Sequence, residues 1–152
     1  MSEAEFPNLT HPILKAINQC SNLMTDHIGR VDERAPFVEV AAGIKQDKTV
    51  TMAGIQGVHP LEITDESARF RLTFPNPVCF AVTDEMFANR ESNAPTGAGW
   101  VTIFRVSAFL EFVQSSTWAK DDYPGPLSHV QIFTLDHRID VVTAEPPGLL
   151  QI

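Results

Sequence analysis

The chain has 152 residues, 43% apolar and 20% charged, which is enough for one hydrophobic core without a disulfide or metal to support it. Nineteen acidic residues against eleven basic ones leave a net charge of −8, so the chain repels nucleic-acid backbones and anionic membrane surfaces, and neither is expected as a partner. No apolar run approaches the roughly 18 residues of a membrane helix, and no membrane partner is expected on that ground either.

The opening MSEAEFPNL has no basic segment followed by an apolar run, so it does not read as a secretory leader. Residues 1–9 read instead as a flexible, acidic N-terminus. A long helix is then expected over residues 10–28. Thr10 is its candidate N-cap, Pro12 sits in the first turn where a missing N–H costs little, and Gly29 stands at the C′ position. Ile13, Ala16, Ile17, Cys20, Leu23, Met24 and Ile28 form one apolar stripe at helical spacing.

The Val-, Ile- and Thr-rich segments 36–44 and 49–58 predict a hairpin about Gln46-Asp47-Lys48, with Gly54 and Gly57 marking a bulge or a close backbone approach. In residues 68–82, Phe70, Leu72 and Phe74 alternate with polar residues. After Pro75-Asn76-Pro77, Val78, Phe80 and Val82 alternate with Cys79 and Ala81. Pairing Phe74 with Val78 directs every large apolar side chain of both segments to one face. Residues 84–99 read as a long surface loop with a helical turn at Glu85 to Ala88. Strand 100–106 follows, then a short helix 108–117 capped by Ser107, then the loop 120–126.

The last predicted hairpin spans 127–143 with Asp136-His137 as its two-residue loop. One face carries Val130, Ile132, Ile139 and Val141. The other carries His129, Gln131, Arg138 and Asp140, and reads as the solvated side. The apolar tail 144–152 is expected to pack as an edge strand or along a helix. Together these elements predict one α+β domain over residues 1–152, a twisted and mostly antiparallel sheet with both helices packed on one face.

Signatures of chemistry are sparse. Phosphate-binding glycine loops, GxSxG and HExxH do not occur. Cys20 and Cys79 are far apart and read as half-buried free thiols, which makes the cytoplasm the expected compartment. Cys79 can be drawn as a nucleophile with His129 as base and Asp140 orienting it, but a mid-strand cysteine is more often a small core residue. No catalytic residues, metal ligands or cofactor are assigned. The five histidines show no converging ligand spacing apart from His129 near Asp136, His137 and Asp140.

The residues that stand out belong to loops. Asp84 and Glu85 end a strand and open the long loop. Trp118 and Tyr123 flank Asp121 and Asp122 as an aromatic–acidic patch, and Phe87 and Trp100 lie beside loops. With His129 and Asp140, the residues Asp84, Glu85, Trp118, Asp121, Asp122 and Tyr123 form the candidate binding set. The resulting expectation is a small, acidic, non-catalytic protein that binds another, basic protein, as an inhibitor or immunity-type protein does. The alternative is a small-molecule or enzymatic pocket between helices and sheet, walled by Phe70, Phe80, Trp100 and Phe112. A homo-oligomer joined through a sheet edge is the third reading.

Overall fold

The computed structural model describes residues 5–95 and 98–152. It contains two helices and mostly antiparallel sheets, an α+β composition. Helix α1 covers Pro12–Asn18 and helix α2 covers Ala108–Ser116. The strands are β1 (Leu23–Gly29), β2 (Phe37–Ala42), β3 (Ile44–Lys45), β4 (Val50–Met52), β5 (Ile55–Val58) and β6 (Leu61–Glu62). They continue as β7 (Arg69–Thr73), β8 (Cys79–Asp84), β9 (Val101–Phe104), β10 (Ser128–Phe133), β11 (His137–Thr143) and β12 (Gly148–Gln151).

The predicted single sheet is two four-stranded sheets, ordered β1-β2-β7-β12 and β8-β11-β10-β9. They face each other across the main core. The first sheet contributes Val38, Val40, Phe70 and Leu72, and the second contributes Val101, Val130, Ile132, Ile139 and Val141. Each such side chain removed from water is worth about 1.5–3 kcal/mol, far more than any local propensity. The helices do not share a face. Helix α1 inserts Leu14 and Ile17 into the core beside β9 and β12. Helix α2 lies on the outside of the second sheet, its Leu110 and Val113 packed with Val142 and Leu127.

The first helix is shorter than its stripe predicts. His11, not Thr10, is the N-cap, its Nδ1 accepting from Ile13 N at 3.2 Å, and the helix stops at Asn18. Residues from Leu23 onward are strand. Leu23, Thr25 and Ile28 pair with Ala42, Val40 and Val38, so all three share the core face. A bulge between Thr25 and His27 lets Leu23 and Ile28, five residues apart, share that face, while Met24 of the predicted stripe pairs with Ala41 on the other face. Residues 1–4 of the predicted flexible terminus lie outside the described residues. Residues 5–8 have no regular structure, yet Phe6 packs against the core with the Arg105 guanidinium 5.2 Å from its ring.

Two predicted hairpins are replaced by longer-range pairings. Segment 36–44 does not pair with 49–58. Strand β2 lies between β1 and β7, β3 pairs with β6, and β4 and β5 form their own exposed hairpin around Ala53-Gly54. Both turn residues have positive φ, 48° and 79°, which suits the twist of a two-residue hairpin turn. Strands β7 and β8 are likewise unpaired with each other, because Pro75-Asn76-Pro77 carries the chain from one sheet to the other. The alternation still serves the core from both sides, and Phe74 and Phe80 meet edge to face at 6.3 Å.

The final hairpin forms with its loop one residue earlier than predicted. Thr134 N donates to His137 O at 2.8 Å, and Ser128 pairs with Thr143, Val130 with Val141 and Ile132 with Ile139. The faces are those expected, but each residue of β10 meets a partner two positions earlier in β11. The tail packs as edge strand β12 against β7, with Leu149 against the core.

Candidate functional site

The outer face of the second sheet, read as solvated from sequence, is buried beneath α2 and the segment before it. His129 is 0% exposed and Asp140 is 1% exposed. The register explains their meeting: Gln131 sits opposite Asp140 and His129 opposite Val142, which leaves His129 and Asp140 on the short diagonal. His129 Nε2 lies 2.7 Å from Asp140 Oδ1, Gln131 Nε2 donates to the same oxygen at 3.2 Å, and Arg138 Nε donates to Oδ2 at 2.8 Å. An ionised carboxylate only accepts, so Nε2 carries the proton. His129 Nδ1 lies 2.8 Å from Ser107 Oγ, and the same Oγ accepts from Leu110 N at 3.0 Å as the N-cap of α2. Phe104 and Phe109 flank the imidazole at ring distances of 5.2 and 5.1 Å.

Burial by itself pushes the Asp140 carboxyl up. Hydrogen bonds from His129 and Gln131, with the charges of His129 and Arg138, outweigh it and hold the group below the usual carboxylate range. The Cys79 thiol moves the other way, raised by burial and then by the Asp140 charge, which opposes the activation a nucleophile needs. Among the described residues no three His, Cys, Asp or Glu side chains gather as metal ligands.

Ser107, His129 and Asp140 have the connectivity of a nucleophilic relay. Their setting is that of a structural pin. Ser107 is buried, and none of five clefts on the described surface is lined by any of the three. The amides of Ala108 and Phe109, where an oxyanion would sit, already donate to the two carboxylate oxygens of Glu91 at 3.0 Å each. Arg138 also donates to Asn89 O at 2.6 Å. The cluster therefore fastens three pieces together: sheet, helix α2 and the segment 89–91. No buried side-chain polar atom among the described residues lacks a partner.

The candidate binding set accordingly divides. His129 and Asp140 are walled off from any partner by α2 and are removed from the contact surface as a correction. The other six lie outside. Trp118 is 86% exposed and Tyr123 76% exposed, and with Asn76, Val78, Thr117 and Pro124 they line a cleft of about 330 Å³. Asp121 and Asp122 lie between them on the exposed turn. Asp84 caps a short 3₁₀ turn, Glu85–Phe87, with its Oδ1 accepting from Met86 N at 2.9 Å. That turn leaves Met86 80% and Phe87 77% exposed, so apolar groups sit beside the carboxylates of Asp84 and Glu85. Met86 carries no sequence signal that separates it from a core residue.

The two groups occupy opposite ends of β8. Val78, next to Trp118, immediately precedes the strand, and Asp84 ends it. A six-residue strand spans about 20 Å. Of the pocket walls of the alternative reading, Phe70, Phe80 and Trp100 pack in or against one core and Phe112 stands apart. Phe70 belongs to the core between the sheets, and Phe112 is 58% exposed on α2. Trp100 plugs the core margin, its indole N–H donating to Cys20 O at 2.8 Å. Compared with models of protein families, with curated proteins and with solved structures, the chain matches none of them.

Proposed function

We propose that this chain is a non-catalytic binding protein whose partner is a basic protein, as for an inhibitor or immunity-type protein covering a cationic site. The observation that carries the reading is the pairing of exposed aromatic or apolar side chains with carboxylates at both ends of β8. Trp118 and Tyr123 stand with Asp121 and Asp122, and Phe87 and Met86 with Asp84 and Glu85. Large aromatic side chains bury much area at small rotamer cost, and adjacent carboxylates steer a cationic partner to them. The sealed Ser107–His129–Asp140 chain supports the non-catalytic part.

The test is capture from lysate at low ionic strength, followed by association kinetics of the captured protein against salt. The reading expects a basic partner whose on-rate falls as salt rises. It also expects Trp118→Ala with Tyr123→Ala to weaken binding at least about tenfold, the size of a single interface hot spot. A salt-indifferent on-rate, or a retained small molecule with no protein, overturns it.

A further inference from the structure

Strand β8 is an outermost strand of its sheet. The hydrogen-bond parity shows which of its backbone groups are free. Thr134 N bonds His137 O, so the residues of β11 with odd numbers bond toward β10. Arg138 and Asp140 therefore bond toward β8, opposite Thr83 and Ala81, and the Val142 carbonyl accepts from Val78 N at 2.8 Å just before the strand. Glu85 N donating to Asp136 O at 3.1 Å gives the same parity independently. The amides of Phe80, Val82 and Asp84 and the carbonyls of Phe80 and Val82 consequently point away from the sheet, and among the described residues no strand pairs with them, while the Asp84 carbonyl opens the 3₁₀ turn.

Edge strands are ordinarily blunted by an inward charge, a proline, a bulge or a covering segment. Between Cys79 and Thr83 strand β8 carries no charge or proline and its register with β11 is unbroken, and among the described residues no strand covers its outer edge. Val82 is 44% exposed at its middle, and a cleft of about 410 Å³ lined by Val31, Arg34 and Phe80 runs beside its first half. Carboxylates stand toward both ends of this open edge: Glu33, beside Arg34, lines the cleft at its start, where Trp118 and Tyr123 of the Asp121-Asp122 turn share a second cleft with Val78, and Asp84 and Glu85 stand at its finish.

We infer that β8 accepts an extended segment of the partner as a fifth strand of the sheet, and that this segment carries Lys or Arg toward its ends. The inference rests on the reading of a basic protein partner and specifies how that partner docks. Main-chain bonds to Phe80, Val82 and Asp84 supply affinity, and the terminal carboxylates select charge and register.

The test uses the whole chain and a display library of short random peptides, selected at low ionic strength. Enriched peptides should alternate apolar residues with Lys or Arg near their ends. Their binding should slow amide exchange at Phe80, Val82 and Asp84 in the wild-type protein. Val82→Pro removes an outward N–H while leaving the bonds to β11, and should weaken binding at least about tenfold. Should that variant unfold, the exchange measurement on the wild-type chain decides alone. Peptides that bind without protecting these amides overturn strand addition. If they instead depend on Trp118 and Tyr123, the partner reading stands without it. Failure to enrich any basic extended peptide overturns the proposal. So does concentration-dependent protection of the same amides without peptide, which assigns the edge to a second copy of the chain.

Discussion

Removing the Asp140 carboxylate is the sharpest test of the buried cluster. In Asp140→Ala three donors lose their acceptor: His129 Nε2, Gln131 Nε2 and Arg138 Nε. They do not lose equally. The Arg138 side chain is 23% exposed and still holds Asn89 O, so it can turn toward water. His129 at 0% and Gln131 at 3% exposure have no such route. Each stranded buried donor costs about 1–3 kcal/mol, and removing one partner of a buried ion pair costs about 3–5 kcal/mol in all. We expect a loss of about 4 kcal/mol, a large part of the stability of an ordinary domain. Asp140→Asn keeps one acceptor for His129 and Gln131 but turns an N–H₂ toward Arg138, and should lose about 2 kcal/mol. Urea unfolding followed by circular dichroism gives both values, and Glu33→Ala, which breaks an exposed pair with Arg30 at 3.8 Å, supplies a control with no measurable change. A loss under about 1 kcal/mol for Asp140→Ala would mean that water reaches the cluster, and the case for a sealed pin would fail.

The depressed Asp140 carboxyl fixes the sign of an acid effect. Its stabilisation is fully present above the unfolded value of about 3.9 and is lost as pH falls through the lower folded value, so unfolding free energy should drop more steeply below about pH 4 in the wild type than in Asp140→Asn. Gly99→Ala places a Cβ 2.6 Å from Asn18 Cγ, and Asn18 exchanges bonds with Val101 N at 2.8 Å and Val101 O at 3.2 Å. Displacing it should cost about 2 kcal/mol by loss of these two bonds, read from the urea midpoint, with Gly99→Ser no better. Acrylamide should quench Trp118 freely and Trp100 weakly, so Trp118→Phe should remove most of the quenchable emission while leaving thermal stability unchanged. Ser107 should resist a fluorophosphonate probe in the folded protein and Cys79 should alkylate more slowly than a free thiol, and labelling of Ser107 would reopen the catalytic reading.

Face and local ending are properties that a short stretch of sequence carries by itself. The alternation of Phe70 and Leu72 already states which side of β7 is apolar, Ser107 marks the start of α2, and Asp84 marks the 3₁₀ turn that follows β8. The exposed loop residues of the candidate surface, Trp118, Tyr123, Asp121, Asp122, Asp84 and Glu85, were legible for the same reason. Pairing is different, because an apolar face fits any partner that offers another. Phe70 and Phe80 satisfy the same core from opposite sheets as readily as from neighbouring strands of one sheet, and only the whole set of strands selects between these arrangements. The bulge in β1 put Leu23 and Ile28 on one face, as the predicted helical stripe did, and a loop displaced by one residue brought His129 against Asp140. Whether those two faced water depended on where α2 would lie, and whether β8 had a free edge depended on which strand stood last. Both are settled by contacts between residues distant in the chain, where burial worth several kcal/mol overrides local preferences worth tenths.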